Sequence, residues 1–275
     1  MKPTELNKMI LDLKVWIKYQ RNKISTTINP YTYEQGKYTD SFLSNFPKRE
    51  LTTIRFESIP RVIYSFWTGD NPMSPARNQH FQLLKKNSGI EIALITPQNL
   101  SDFILPAYPL HPAFPYLSLV HKSDYLRCYF MHHYGGGYSD VKATKHSWEN
   151  CFYRLENSNA YFLGYPEAKK EDLAPVGGIL GNDMKLRFSR IAGNSAYIFK
   201  KQTPFTQEWY TELHHRMDNY TEQLMRHPGN ILGDNYGYPI PWTNILGDIF
   251  HPLCLKYHER ILLDSKIRPC THNYR

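Results

Sequence analysis

Hydrophobic and polar positions repeat along this chain at two different periods, and the switches between them predict the order of its elements. Near the start, Leu6, Met9, Ile10, Leu13, Trp16 and Ile17 share one helical face, with Lys8, Lys14, Lys18, Arg21 and Lys23 around or beyond it. This is a basic amphipathic helix, which either docks on the body of the protein or lies on anionic lipid. A Tyr/Asn/Ser-rich stretch from about 25 to 45 reads as a connector. From Arg61 the pattern changes. The run Val62 to Trp67 is apolar nearly throughout, as a strand covered on both faces should be, and ends in the turn residues Gly69-Asp70-Asn71-Pro72. Ser74-Pro75 opens a helix whose inner side carries Ala76, His80, Leu83, Leu84 and Asn87, and Gly89 stops it before a strand over 90–95. Strand, helix and strand in that order predict a right-handed crossover.

Further along, Pro106, Pro109, Pro112 and Pro115 recur at every third residue, which suits an ordered loop or a polyproline-II turn. A helix is expected over 123–134, with Leu126, Tyr129, Phe130 and His133 on one side and Asp124, Arg127 and Met131 on the other. Gly135-Gly136-Gly137 ends it and turns the chain into Tyr138-Ser139-Asp140-Val141. Strands over 160–164 and 195–200 and a helix over 204–218 follow. Residues 167–172 read as an exposed loop, and the glycine-rich piece 175–194 as a lid or an ordinary loop. Alternating strands and helices mean an α/β fold with a mostly parallel central sheet flanked by helices. The expected division is a helical extension and connector over 1–58 and a single domain over 59–275.

Charge and composition narrow the partners. The formal net charge of +8 attracts anions, whether nucleic acid, acidic lipid or a phosphorylated small molecule. No helix-turn-helix, RNP or zinc-finger signature accompanies it, and the basic residues are dispersed outside the first helix, so nucleic acid is not the expected partner. Aromatic residues at 15% are abundant enough to suggest a stacking or sugar-binding surface. The four cysteines show neither CxxC spacing nor a dense framework, which fits a reducing compartment. The long uncharged run 104–120 carries four prolines and will not span a bilayer as a helix. A cytoplasmic location is expected, with peripheral attachment to the inner face of the membrane if the first helix binds lipid.

Ligands of open α/β sheets bind beyond the carboxyl ends of strands, which directs attention to Trp67 and to Asp140. The ordered combination Ile59-Pro60-Arg61-Val62-Ile63-Tyr64-x-x-Trp67, Ser123-Asp124-Tyr125-Leu126-Arg127-x-Tyr129 and Tyr134-Gly135-Gly136-Gly137-Tyr138-Ser139-Asp140 resembles the sugar-nucleotide glycosyltransferases with a DXD motif. Its bacterial capsular-polysaccharide and lipopolysaccharide branch is the nearest in pattern. The resemblance covers about 59–145, more loosely 192–209 and 238–252. It implies a GT-A fold, a nucleotide-sugar donor, typically a UDP-sugar, and transfer of a hexose or N-acetylhexosamine to an oligosaccharide or lipid-linked glycan, usually with retention of configuration. By position, Trp67 would stack on the donor base, Asp124 and Arg127 would hold hydroxyls and phosphate, and Tyr138, Asp140 and Lys142 would complete the donor site. A core tryptophan and a local Asp124–Arg127 ion pair are the plain alternatives.

One position departs from the pattern. Two residues beyond the first Asp the family often has a second, and the pair binds Mn²⁺ or Mg²⁺ to neutralise the departing diphosphate. Here Lys142 stands there. A charged lysine cannot ligate a cation, so metal binding at Asp140 is weakened or the ammonium takes over the charge, with Lys145 nearby in sequence. His251 is the candidate late histidine that would complete a metal and diphosphate site, or else a structural histidine. If transfer uses a base or nucleophile, Asp234 or Asp248 is the acid placed by motif context, and Asp248 joins Asp140 and Lys142 as a catalytic candidate. The competing reading is a catalytically inactive relative that only binds a glycan or a partner.

Overall fold

The computed structural model describes residues 3–47 and 58–272. Their helices and strands are, in chain order, α1 (Pro3–Ile28), β1 (Val62–Phe66), α2 (Pro75–Ser88), β2 (Glu91–Ile95), α3 (Leu119–His133), β3 (Gly136–Ser139), α4 (Glu149–Glu156), β4 (Phe162–Pro166), α5 (Gly178–Leu186), β5 (Ala192–Phe199), α6 (Pro204–Arg226), α7 (Gly247–Lys256) and β6 (Ile261–Leu263). The six strands form one sheet in the order β2-β1-β3-β5-β4-β6. β1 pairs in parallel with β2 and β3, and β4 with β6, whereas β5 runs antiparallel to both β3 and β4. The amino end of β5 therefore lies beside the carboxyl ends of β3 and β4.

Period-two alternation divides the strands between two layers. Tyr64, Phe66, Tyr138, Phe162, Tyr197 and Phe199 belong to the large core under α3, α6 and α7. Ile63, Leu163, Ala196 and Ile198 face the other way onto Trp148, Phe152 and Leu155 of the α4 segment. On that second side α2 packs Phe81 and Leu84 against Val141. Helix starts follow the capping residues: the hydroxyls of Ser74, Ser118 and Thr203 accept from the main-chain N–H of Arg77, His121 and Thr206. Gly89 closes α2 in the left-handed conformation at φ 69°. Leu83 is exposed, and Phe81 takes the inner position expected of it.

Several features differ from the sequence expectations. The connector is part of the core: Tyr31, Tyr33, Tyr38 and Leu43 are buried in it, and the Tyr38 hydroxyl donates to Asp183 of α5 at 2.7 Å. α5 replaces the expected lid or loop, because Leu180 and Met184 of the glycine-rich piece turn into the core. α6 continues to Arg226, past the expected end near 218. The proline run is an ordered loop tied to α3 by tyrosines. Tyr129 accepts from Leu105 N–H at 2.9 Å and donates to Tyr108 O at 2.8 Å, and Tyr125 accepts from His111 N–H at 3.0 Å. Much of the aromatic surplus is thus structural, since Tyr125, Tyr129, Tyr138, Tyr161 and Tyr197 are all fully buried.

The triple glycine is explained by chain packing. Gly135 and Gly136 have φ of 69° and 83°, and a Cβ on Gly136 would sit 3.1 Å from Val62 O and 3.2 Å from Pro60 O. A Cβ on Gly137 would meet Ile63 Cγ1 at 2.8 Å. These glycines let β3 lie against β1 immediately after α3 ends. Gly136→Ala is expected to destabilise the protein by about 1–2 kcal/mol from the left-handed backbone alone. A lowered urea midpoint at unchanged slope would show it; an unaltered midpoint would contradict this account of the turn.

Candidate active site

β1 and β3 run side by side, in register at Tyr64 and Tyr138, so Trp67 emerges beside Val141, one residue past Asp140. α3 crosses the same side of the sheet and brings Asp124 and Arg127, one turn apart, over the end of β3. β5 closes the other flank, with the main-chain N–H of Asp140 donating to Ser195 O at 2.9 Å. Five sequence-selected residues, Asp124, Arg127, Tyr138, Asp140 and Lys142, are brought into one cluster.

Arg127 is its centre. Its Nη2 lies 3.3 Å from Asp140 Oδ1 and 3.5 Å from Asp124 Oδ1, its Nη1 donates to Asn194 O at 3.3 Å, and its guanidinium covers the Tyr138 ring at 4.7 Å. Tyr138 is itself buried and donates to Asp140 Oδ1 at 2.6 Å, so it holds the carboxylate from below. Lys142 donates to Asp140 Oδ2 at 2.7 Å. Both Asp140 oxygens are therefore engaged by donors.

The two carboxylates titrate in opposite directions. Burial works against the ionised form of Asp140, but Arg127, Lys142 and the Tyr138 hydrogen bond overcome it and hold the pKa down at about 2. At Asp124 burial prevails over the attraction of Arg127, and the Asp140 charge adds to it, pushing the pKa up to about 6. Burial alone would lower the pKa of Arg127; Tyr138, Asp140 and Asp124 reverse that and keep it firmly charged.

The remaining candidates lie around this cluster. Trp67 is partly exposed, its indole N–H donates to Asn71 O at 2.7 Å, and it lines a groove of about 640 Å³ with Asn71, Pro75, Asn78 and Phe81. It packs on Phe81, Leu84 and Val141, the last directly following Asp140. On the other flank, a Cβ on Gly247 would meet the Asn194 side chain at 3.4 Å, which sets the start of α7 against the residue whose carbonyl Arg127 holds. The next residue, Asp248, lines a cleft of about 490 Å³ with Lys37, Phe42, Gly177, Arg216 and Asn244. Arg127 Nε, Asn194 Oδ1, Asn244 Oδ1 and Asp248 Oδ1 are buried polar atoms with no protein partner, as expected where a polar ligand or water completes the site.

His251 is placed elsewhere. Its Nδ1 accepts from Ala174 N–H at 2.9 Å, so the neutral ring carries its proton on Nε2, which stands 4.0 Å from Glu167 Oε1. Burial lowers its pKa to about 3, and no ion pair or hydrogen bond joins it to Asp140. Among the described residues no group of three or more His, Cys, Asp or Glu is arranged to hold a metal ion. With an ammonium on one Asp140 oxygen and a guanidinium and a phenol on the other, this donor set does not fit Mn²⁺ or Mg²⁺.

Glu167 departs from its sequence reading without joining the cluster. Sequence composition places it in an exposed loop, yet it is buried at the carboxyl end of β4, and burial, with Asp172 adding, pushes its pKa up to about 8. Its position directly after a strand was the available signal.

No family model matches the chain. Over 120 residues it is 28% identical to inositol phosphoceramide mannosyltransferase 1 of Schizosaccharomyces pombe, a match that takes in 38% of this chain and 36% of that protein. The chain thus spans about a third of the length of the curated relative it matches. The relative is named a mannosyltransferase, and it is fungal where the sequence pattern resembles a bacterial branch.

The raised carboxyls carry a pH signature. A group whose folded pKa exceeds its unfolded value adds stability below the unfolded pKa and loses it as pH rises through the folded one. Stability is expected to fall between pH 4 and about 6 through Asp124, and between about 5 and 8 through Glu167. Urea midpoints across that range should decline less in Asp124→Asn and Glu167→Gln than in the wild type; parallel profiles would contradict these assignments.

Proposed function

We propose that the protein is a glycosyltransferase that moves a hexose or N-acetylhexosamine from a nucleotide-sugar donor to a hydroxyl of a glycan or glycolipid. The observation that carries this reading is the largely buried Asp124–Arg127–Asp140–Lys142 cluster at the adjoining carboxyl ends of β1 and β3. A diphosphate sugar needs forked and point-charge donors beside acceptors for its hydroxyls, and the cluster supplies both kinds within one turn of helix and one strand end. Trp67, on the rim, offers its ring to the base. The cleft at Asp248 adjoins the cluster through Asn194 and suits an acceptor hydroxyl approaching from the α7 side.

In this mechanism the leaving diphosphate is stabilised by fixed positive charge. One carboxylate with one ammonium sums to the same net charge as two carboxylates with a divalent cation, so Asp140 and Lys142 reproduce the charge balance of a DXD–metal site. Arg127, locked by Asp124, Tyr138 and the Asn194 carbonyl, requires little reorganisation as charge develops on the phosphate. Transfer with retention, in which the departing phosphate guides the acceptor onto the same face, needs no dedicated base, which fits a cluster built of ion pairs. The relative is named for inositol phosphoceramide, which supports testing lipid-borne acceptors first.

A panel of UDP-, GDP- and dTDP-sugars tests the reading. One nucleotide class is expected to raise the melting temperature and to release nucleoside diphosphate, and Arg127→Lys should lose at least about 100-fold in turnover through the missing fork. The absence of stabilisation by any nucleotide sugar, with glycan binding retained, would favour an inactive binding protein instead.

A further inference from the structure

α1 is attached to the protein by the wrong side for a core helix. Val15, Tyr19, Asn22 and Thr26, spaced four, three and four residues apart, form the edge that touches the domain. Asn22 donates to Leu186 O at 2.8 Å and accepts from Ser189 N–H at 3.2 Å, and Tyr19 meets Phe188 with ring centroids 6.4 Å apart. At about 3.6 residues per turn, the apolar stripe lies on roughly the opposite side of the helix. Leu6, Met9, Ile10, Leu13, Trp16, Ile17 and Ile24 are between 40% and 58% exposed. The sequence expectation that this face either docks on the body or lies on lipid is thus narrowed, because the body is held by the other edge.

We infer that α1 lies in the surface of an anionic membrane, with its apolar stripe among the lipid chains and its basic flank on the headgroups. The charge pattern chooses this occupant. Lys14, Lys18 and Arg21 are exposed along one border of the stripe and Lys23 along the other, in a protein of net charge +8. A second copy of the same helix would bring these like charges together. Trp16, at the border of the stripe, lines a cleft with Pro166, Ala168 and Arg268, and among the described residues no helix is long and apolar enough to cross a membrane, so the helix lies flat with the rest of the stripe outward. α1 is held by Leu186 and Ser189, a few residues before the amino end of β5, so the helix is anchored to the segment that leads into the strand carrying Asn194.

The proposal does not depend on the glycosyltransferase reading, and its test uses no sugar. The full chain is sedimented with phosphatidylcholine vesicles and with vesicles containing phosphatidylglycerol, at low and high salt. Binding is expected only to the anionic vesicles and is expected to weaken with salt. Leu13→Asp with Ile17→Asp should reduce it at least tenfold, as should Lys14→Glu with Lys18→Glu and Arg21→Glu, while melting temperature stays unchanged because all five positions are exposed. Equal binding to neutral vesicles, or no binding to either, would overturn the inference. A dimer in solution that Leu13→Asp with Ile17→Asp converts to a monomer would overturn it in favour of a second copy.

Discussion

The buried guanidinium of Arg127 is the constraint around which the site is arranged. A charge removed from water must be matched by nearby opposite charge and by hydrogen bonds, and breaking such an arrangement costs about 3–5 kcal/mol. Here the compensation comes from four directions: Asp124 on the same helix, Asp140 at the end of β3, the Asn194 carbonyl on β5 and the Tyr138 ring beneath. Arg127 consequently ties α3 to two strands. The close approach of β3 to β1 that Gly136 and Gly137 permit brings the end of β1, and with it Trp67, alongside this junction.

The same arrangement gives Lys142 its place. Asp140 already has Arg127 and Tyr138 on one oxygen, and Lys142 completes the other, so its carboxylate remains ionised far below the usual range. On the proposed function, a carboxylate so occupied would position cations for a ligand's phosphates, where a freer one would recruit a metal. Asp124, pushed toward neutrality by burial, leaves the balance of the cluster tilted to positive charge in mildly acidic conditions.

Much of this was legible in the sequence because its signals are local. Apolar runs gave β1 and β2, Ser74-Pro75 and Gly89 bounded α2, and the three-residue spacing of Asp124 and Arg127 placed them on one helical side. What escaped depends on tertiary packing. α7 carries Pro252 in its interior, a residue that argues against a helix, yet Ile249, Phe250 and Leu253 bury it against the sheet. α5 was obscured by its glycines. The face α1 uses for docking carries Asn22 and Thr26, which no apolar pattern would select, and Glu167 sits among polar residues whose average exposure conceals its own burial.

The central claim is that fixed protein cations replace a divalent metal at the diphosphate. Nucleoside diphosphate release from the preferred donor, measured in excess EDTA and again with Mn²⁺ for the wild type and for Lys142→Asp, tests it most directly. The wild type is expected to keep its rate in chelator, and Lys142→Asp to lose activity in EDTA and regain part of it with Mn²⁺. Complete loss of wild-type activity in chelator, restored by Mn²⁺, would contradict the account.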